Sequence, residues 1–204
     1  MTSVQPPPPL PAEEEEDGDD AGYVDDTWTL YFHDPSDGDW MHSSYVRLGD
    51  VSSLEDVAAV KLALREKVSG GMFFLMREHV FPCWDDPNNI EGGCLTVRIP
   101  KSFAESAWNG AMVDAVCENM WHHRPDGEAA EIHGISVSPK AVYAVLKIWV
   151  ASEADPKDLR LPPEVARHAC GQVQYKANRD YIRSNNEALT LAAMRAASAA
   201  RTTT

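Results

Sequence analysis

Two stretches of this chain alternate with a period of two, and together they constrain its architecture more than any other feature. In Cys94-Leu-Thr-Val-Arg-Ile99, Leu95, Val97 and Ile99 fall on one face while Cys94, Thr96 and Arg98 fall on the other. Along Val142 to Val150, Val142, Ala144, Leu146 and Ile148 share one face, and Tyr143, Val145, Lys147 and Trp149 share the opposite one. Successive side chains of a strand point to opposite sides, so each stretch reads as a strand with one face in a core. The other face carries large aromatics and isolated cations where a uniform polar coat would be ordinary.

The remaining pattern supplies partners for these strands. Trp28-Thr-Leu-Tyr-Phe is an aromatic, β-branched run that predicts a first strand, and His33 to Trp40 (HDPSDGDW) is a turn-rich loop with an aromatic at its far end. A second strand is expected at Tyr45 to Leu48. Ser53 stands ahead of Leu54-Glu55-Asp56 like a capping box, and Leu54, Val57, Ala58, Val60, Ala63 and Leu64 recur at helical spacing, predicting a helix over 54–68 that Gly70-Gly71 ends. Met72 to Met76 has the length of a buried strand. Ser102 with Glu105 suggests a second capping box, opening a helix that carries Phe103, Trp108, Met112, Val113 and Val116. Ile132 to Ser138 and Val142 to Val150 flank Pro139-Lys140-Ala141 as a hairpin would. Beyond them, Pro163 to Cys170 reads as a short helix, Val173 to Tyr181 as a short strand and Glu187 to Arg201 as an Ala-rich helix or tail. Strands interrupted by helices in this order argue for an α+β layer, an antiparallel sheet with helices along one face.

Charge divides the chain. The 204 residues hold 32 acids and 18 Lys or Arg, a net charge of −14. Nine of those acids lie before residue 27, where no Lys or Arg occurs, so residues 27–204 carry only −5. That opening stretch also holds a proline run and almost nothing large and apolar, a composition unable to offset ordering entropy by burial. The expected organisation is a disordered, acidic, Pro-rich tail over 1–26, a binding domain over 27–184 and an Ala-rich C-terminal helix or tail over 185–204. A mildly acidic body excludes the basic carpet of a duplex binder, though not a small cluster of cations. No stretch nears the roughly 18 apolar residues that cross a bilayer, and no secretory pattern opens the chain, so a soluble, cytoplasmic protein without a membrane partner is expected. Cys83, Cys94, Cys117 and Cys170 form no C-x-x-C pair and His122-His123 has no third ligand at metal-like spacing, so free thiols and no metal are expected.

Six ordered landmarks give these elements a resemblance. They are Trp28-Thr-Leu-Tyr-Phe, Trp40 twelve residues on, Phe81-Pro-Cys-Trp-Asp-Asp, Gly92-Gly93 eight residues after Trp84, Trp108 on a helix, and Gly134 followed fifteen residues later by Lys-Ile-Trp149. Over about residues 27–150 the chain resembles the translation initiation factor 4E family, which binds the 7-methylguanosine cap of messenger RNA. The resemblance implies a curved antiparallel sheet with helices on its convex face and a cap slot on its concave face. It implies that Trp40 and Trp84 sandwich the methylated base, whose positive charge is drawn to the indole quadrupole. One stacked base is worth about 1–3 kcal/mol, so two rings could account for much of the roughly 8 kcal/mol of a micromolar complex. Asp85 stands where the family typically has Glu, to accept from the guanine N1–H and N2 amino group. Trp149 matches the family Trp near the methyl group. Lys140 stands at a family Arg position, and two further basic positions fall on Cys94 and Val145. Arg98, on the strand face of Cys94, and Lys147, two residues from Val145, are the candidate replacements. No cofactor is implied.

The resemblance also implies a protein partner, a 4G-type scaffold or a 4E-binding protein, on the convex helical face. Its matching positions are Leu54, Ala58, Asn109, Gly110 and Val113. The family has Trp at the Ala58 position, Leu at Asn109 and Glu at Gly110, and such divergence is similar to that of kinetoplastid paralogues. Two binding readings follow: an initiation factor that recruits the scaffold, and a cap-binding repressor that does not. A third, a cap pyrophosphatase, needs clustered carboxylates for a metal and a base to activate water. Asp85-Asp86 is a thin basis for that chemistry and no phosphate loop appears, so no enzymatic activity is expected.

Overall fold

The computed structural model describes residues 22–122 and 130–202. Most of the expected tail, residues 1–21, lies outside the described residues, as do 123–129 in the loop after Trp121. In chain order the elements are β1 (Tyr23–His33), β2 (Tyr45–Ser53), α1 (Leu54–Leu64), β3 (Met72–Arg77), β4 (Gly93–Pro100), α2 (Ala104–Val116), β5 (Ile132–Pro139), β6 (Tyr143–Val150), α3 (Pro163–His168), β7 (Gln174–Ala177) and α4 (Asn178–Thr202). The strands form one open antiparallel sheet in the order β2-β1-β3-β5-β6-β4-β7, with helices on it, as an α+β chain requires.

Local chemistry explains most boundaries. Ser53 caps α1, its hydroxyl accepting from the Asp56 amide at 3.1 Å while the Asp56 carboxylate accepts from the Ser53 amide at 3.0 Å. The second expected capping box does not form. A 3₁₀ turn over Lys101–Phe103 precedes α2, which places Ser102 inside a turn and leaves Phe103 as an N-cap without a side-chain bond. β1 opens at Tyr23, ahead of the expected start at 27: Tyr23 pairs with Ser53 of β2, and the Gly22 carbonyl beside it accepts from the Leu54 amide at 2.9 Å. α4 starts at Asn178, before the expected boundary at 185.

Period-two alternation sorts the sheet into two apolar layers. Trp28, Leu30, Phe32, Phe73, Leu75, Leu95, Val97, Ile99, Leu146 and Ile148 pack against the buried faces of α1 and α2, including Val57, Val60, Trp108 and Met112. On the other side Phe74, Met76, Val80, Cys94 and Trp149 form a smaller cluster, joined by Tyr31, Tyr45, Trp84 and Tyr181. Val142, expected in the core, is 77% exposed, since it sits in the hairpin turn before β6 begins.

Candidate functional site

Two loops and one helix meet over the smaller cluster. The loop after β1 is built by its own acids: Asp34 accepts from the Ser36 amide at 2.8 Å, Asp37 from the Asp39 amide at 2.8 Å and Asp39 from the Met41 amide at 2.9 Å. These turns lift Trp40 to the surface, where it is 52% exposed. The ring of His33 lies under it, parallel within 7° at 4.2 Å, and the His33 Nε2–H donates to the Asp39 carbonyl at 2.8 Å. Tyr45 meets Trp40 edge-on at 6.3 Å and its hydroxyl donates to the Pro82 carbonyl at 3.3 Å, tying the first loop to the second.

The second loop, between β3 and β4, is organised by Asn89. This fully buried amide donates to the Phe81 and Cys83 carbonyls, both at 2.9 Å, and its oxygen faces His133 Nδ1 at 3.2 Å. Gripping residues 81 and 83 aims Trp84 and Asp85. The Asn89 carbonyl in turn accepts from the side chain of Asn178 at 2.7 Å, so the root of α4 is fastened to the same loop. Tyr181, one turn along α4, stacks on Trp84 at 4.7 Å and 8°. The Trp84 Nε1–H is buried and unpaired among the described residues, so stacking holds this ring.

Between the loops lies a cavity of about 380 Å³ lined by Trp40, Trp84, Asp85, Lys147 and Trp149, five of the residues expected from sequence. Tyr45, Met72, Phe74 and Ser136 also line it, and Ile182, Asn185 and Asn186 of α4 contribute a wall. Trp149 is fixed by its Nε1–H donating to Ser136 Oγ at 2.9 Å. Asp85 is exposed at the rim, whereas Asp86 is occupied by a turn, accepting from the Asn88 amide at 2.9 Å. The Lys147 ammonium stands 5.1 Å from the Trp84 ring, 5.8 Å from Trp149 and 4.5 Å from Tyr181. No carboxylate among the described residues pairs with it. Burial holds its pKa below the usual lysine range, with Lys140 and Lys176 adding to the depression and the Cys94 thiol opposing it. Burial also pushes the Cys83 thiol up to about 12, with the neighbouring Asp85 carboxylate adding to the effect.

The other two expected cations do not line the cavity. Arg98 lies on β4 with its guanidinium 5.6 Å over the Tyr143 ring, and Lys140 is exposed in the hairpin turn. Lys176, Tyr181, His33 and Tyr45 are neighbours that the sequence did not single out. Of these, Lys176 places its ammonium 4.0 Å over Tyr181. Away from the cavity, Leu54 and Ala58 are exposed on α1 and Val113 is exposed on α2, with Asn109 and Gly110 half-buried beside it. Gly110 is turned to α3: a Cβ there would come within 3.0 Å of Glu164 Oε2 and 3.3 Å of Pro162.

The sequence profile described as Eukaryotic initiation factor 4E matches residues 23–191, which spans every element named so far into α4. The chain belongs to the eukaryotic initiation factor 4E family. This is a family of mRNA cap-binding translation factors, not of enzymes. Among solved structures, eIF4E-3 of C. elegans is 14% identical with a TM-score of 0.65, the match covering 79% of this chain and 96% of that one. For Ascaris suum eIF4E-3 the identity is 17%, the TM-score 0.56 and the coverage 67% and 77%. Schistosome eIF4E is 18% identical with a TM-score of 0.57, covering 67% and 76%. At these identities the likeness is one of fold, and the open antiparallel sheet with helices packed on it is what the chains share. Among the described residues no helix is long and apolar enough to cross a membrane.

Proposed function

We propose that this chain holds the 7-methylguanosine cap of messenger RNA between Trp40 and Trp84 and acts in cytoplasmic translation initiation by recruiting a scaffold factor. The observation that carries the reading is that two indoles from separate loops line one cavity, with the Asp85 carboxylate at its rim and the unpaired Lys147 ammonium inside it. A cationic purine gains from both rings, Asp85 accepts from its N1–H and N2 amino group, and Lys147 attracts the phosphates. Trp149 lies against the base edge. Lys140 and Arg98 extend the positive path outward. The reading is supported by relatives of the same fold: the Ascaris suum protein was solved with m7G and m2,2,7G caps, and the schistosome protein with m7GpppG and 4E-BP. The C. elegans protein was solved with the 4E-binding protein Mextli. For this chain the proposed partner surface is Leu54, Ala58, Asn109, Gly110 and Val113, on the helices away from the cavity.

The test is quenching of Trp fluorescence by 7-methyl-GTP against GTP. Wild type is expected to prefer the methylated nucleotide, and Trp40→Ala or Trp84→Ala to weaken it about 10- to 100-fold, the loss of one stacked ring. Equal affinity for both nucleotides would reject the reading. A second reading, cap binding without scaffold recruitment, is favoured by the small side chain at Ala58 and by Gly110 facing α3. Co-precipitation with a 4G-type fragment decides between them, since a chain that retains cap affinity but captures no scaffold is a repressor.

A further inference from the structure

Each cavity-lining indole outside the sheet is backed by a second ring. His33 is completely buried and does not line the cavity, so it occupies the face of Trp40 turned away from it. Tyr181 likewise is absent from the cavity wall and lines a separate hollow with Thr96, Gln174 and Lys176, which puts it behind Trp84. The two backing contacts share one geometry, 7° and 8° from parallel at 4.2 and 4.7 Å. Each backing ring is also fastened to the loop whose indole it supports. His33 donates to the carbonyl of Asp39, the residue before Trp40. Tyr181 rises from Asn178, which bonds to Asn89, and Asn89 grips the backbone on the near side of Trp84.

Neither indole has a hydrogen bond to fix its plane among the described residues. Trp84 Nε1 is buried and unpaired, and Trp40 is held by the rings of His33 and Tyr45. A flat ligand between two loop tryptophans gains full stacking only if both planes are set before it arrives, because ordering a free side chain offsets part of the contact. We infer that His33 and Tyr181 are positioning residues that hold Trp40 and Trp84 from behind, so that the occupied site is a five-layer stack of His33, Trp40, base, Trp84 and Tyr181. The inference rests on the proposed cap reading, and it makes the first turn of α4 part of the binding site. Lys147 and Lys176, at 4.5 and 4.0 Å from the Tyr181 ring, anchor that ring in turn.

The experiment compares 7-methyl-GTP affinity of the full chain with Tyr181→Leu, Tyr181→Phe and His33→Leu, measured below the thermal midpoint of each variant. Removing a backing ring is expected to weaken binding about three- to tenfold, the cost of ordering one mobile side chain. Restoring a ring in Tyr181→Phe is expected to recover wild-type affinity within about twofold, a rescue that a merely space-filling role would not need. Should Tyr181→Leu melt below the assay temperature, Tyr181→Gln takes its place with the same expectation. Wild-type preference for the methylated nucleotide together with unchanged affinity in the ringless variants overturns this inference alone. A wild type without that preference overturns the cap reading and the inference with it.

Discussion

Lys147 holds its place in the cavity at the expense of folding. Its ammonium is half-buried among three rings without a carboxylate, and burial lowers its pKa. For a lysine lowered on folding, the charged form is penalised in the native state below that lowered value, and the penalty fades as pH rises towards the unfolded one. Lys147→Met is therefore expected to raise Tm at neutral pH by about 2–4 °C, the shift that about 1 kcal/mol gives in a domain this size. The same variant is expected to lose the phosphate attraction proposed for Lys147, read as a narrowed gap between 7-methyl-GTP and 7-methylguanosine. In wild type that gap should shrink as pH rises, beginning below the usual lysine range, because only the protonated amine attracts phosphate. A gap insensitive to both the variant and the pH would remove Lys147 from the phosphate path. Lys147 was legible in the sequence because it shares a strand face with Trp149. His33 and Tyr45 were not, since a ring in a strand end looks the same whether it packs on solvent, core or another ring.

At the scale of elements, α4 is the part least visible in the sequence. Its Ala-rich second half resembles a tail, and nothing in periodicity tells that its first turn docks on a loop far earlier in the chain. The docking rests on Asn178, fully buried, which donates to the Asn89 carbonyl at 2.7 Å and accepts from the Cys94 thiol at 3.4 Å. Asn178→Ala leaves these groups unsatisfied at about 1–3 kcal/mol. The loss should appear locally, as faster tryptic cleavage at Arg179 and Arg183 with little change in the global melt. Unchanged cleavage would mean that other contacts seat the helix. By contrast the α1 capping box was readable, because Ser53 and Asp56 are local and the chain between them has one way to close. The Ser102–Glu105 pair carried the same signature, and the 3₁₀ turn after Pro100 defeated it.

For the whole molecule, the order of strands and helices pointed to the antiparallel class and the alternation of β4 and β6 to a two-faced sheet, but the strand order did not follow. β4 pairs with β6 and β7 instead of its predecessor β3, a choice made by non-local packing. One buried cation holds the early and late parts together. Arg77, 6% exposed, reaches Asp26 of β1 and Glu118 after α2 at 2.5 Å each and Glu131 before β5 at 3.2 Å, and its Nε–H donates to the Ile132 carbonyl at 2.7 Å. Arg77→Met is expected to lower stability by about 2–3 kcal/mol, less than for a fully buried pair because the carboxylates reach water. Thermal melting checks this, with a drop of about 5–10 °C expected; a change under 2 °C would show that the cluster is solvated and weak.

Phe73 and Phe74 are adjacent in β3 yet belong to opposite layers, and Leu146 and Lys147 of β6 repeat the arrangement. Neighbouring substitutions are thus read on opposite sides of the sheet: a change at Phe73 or Leu146 disturbs the packing under the helices, and one at Phe74 or Lys147 alters the wall of the cavity.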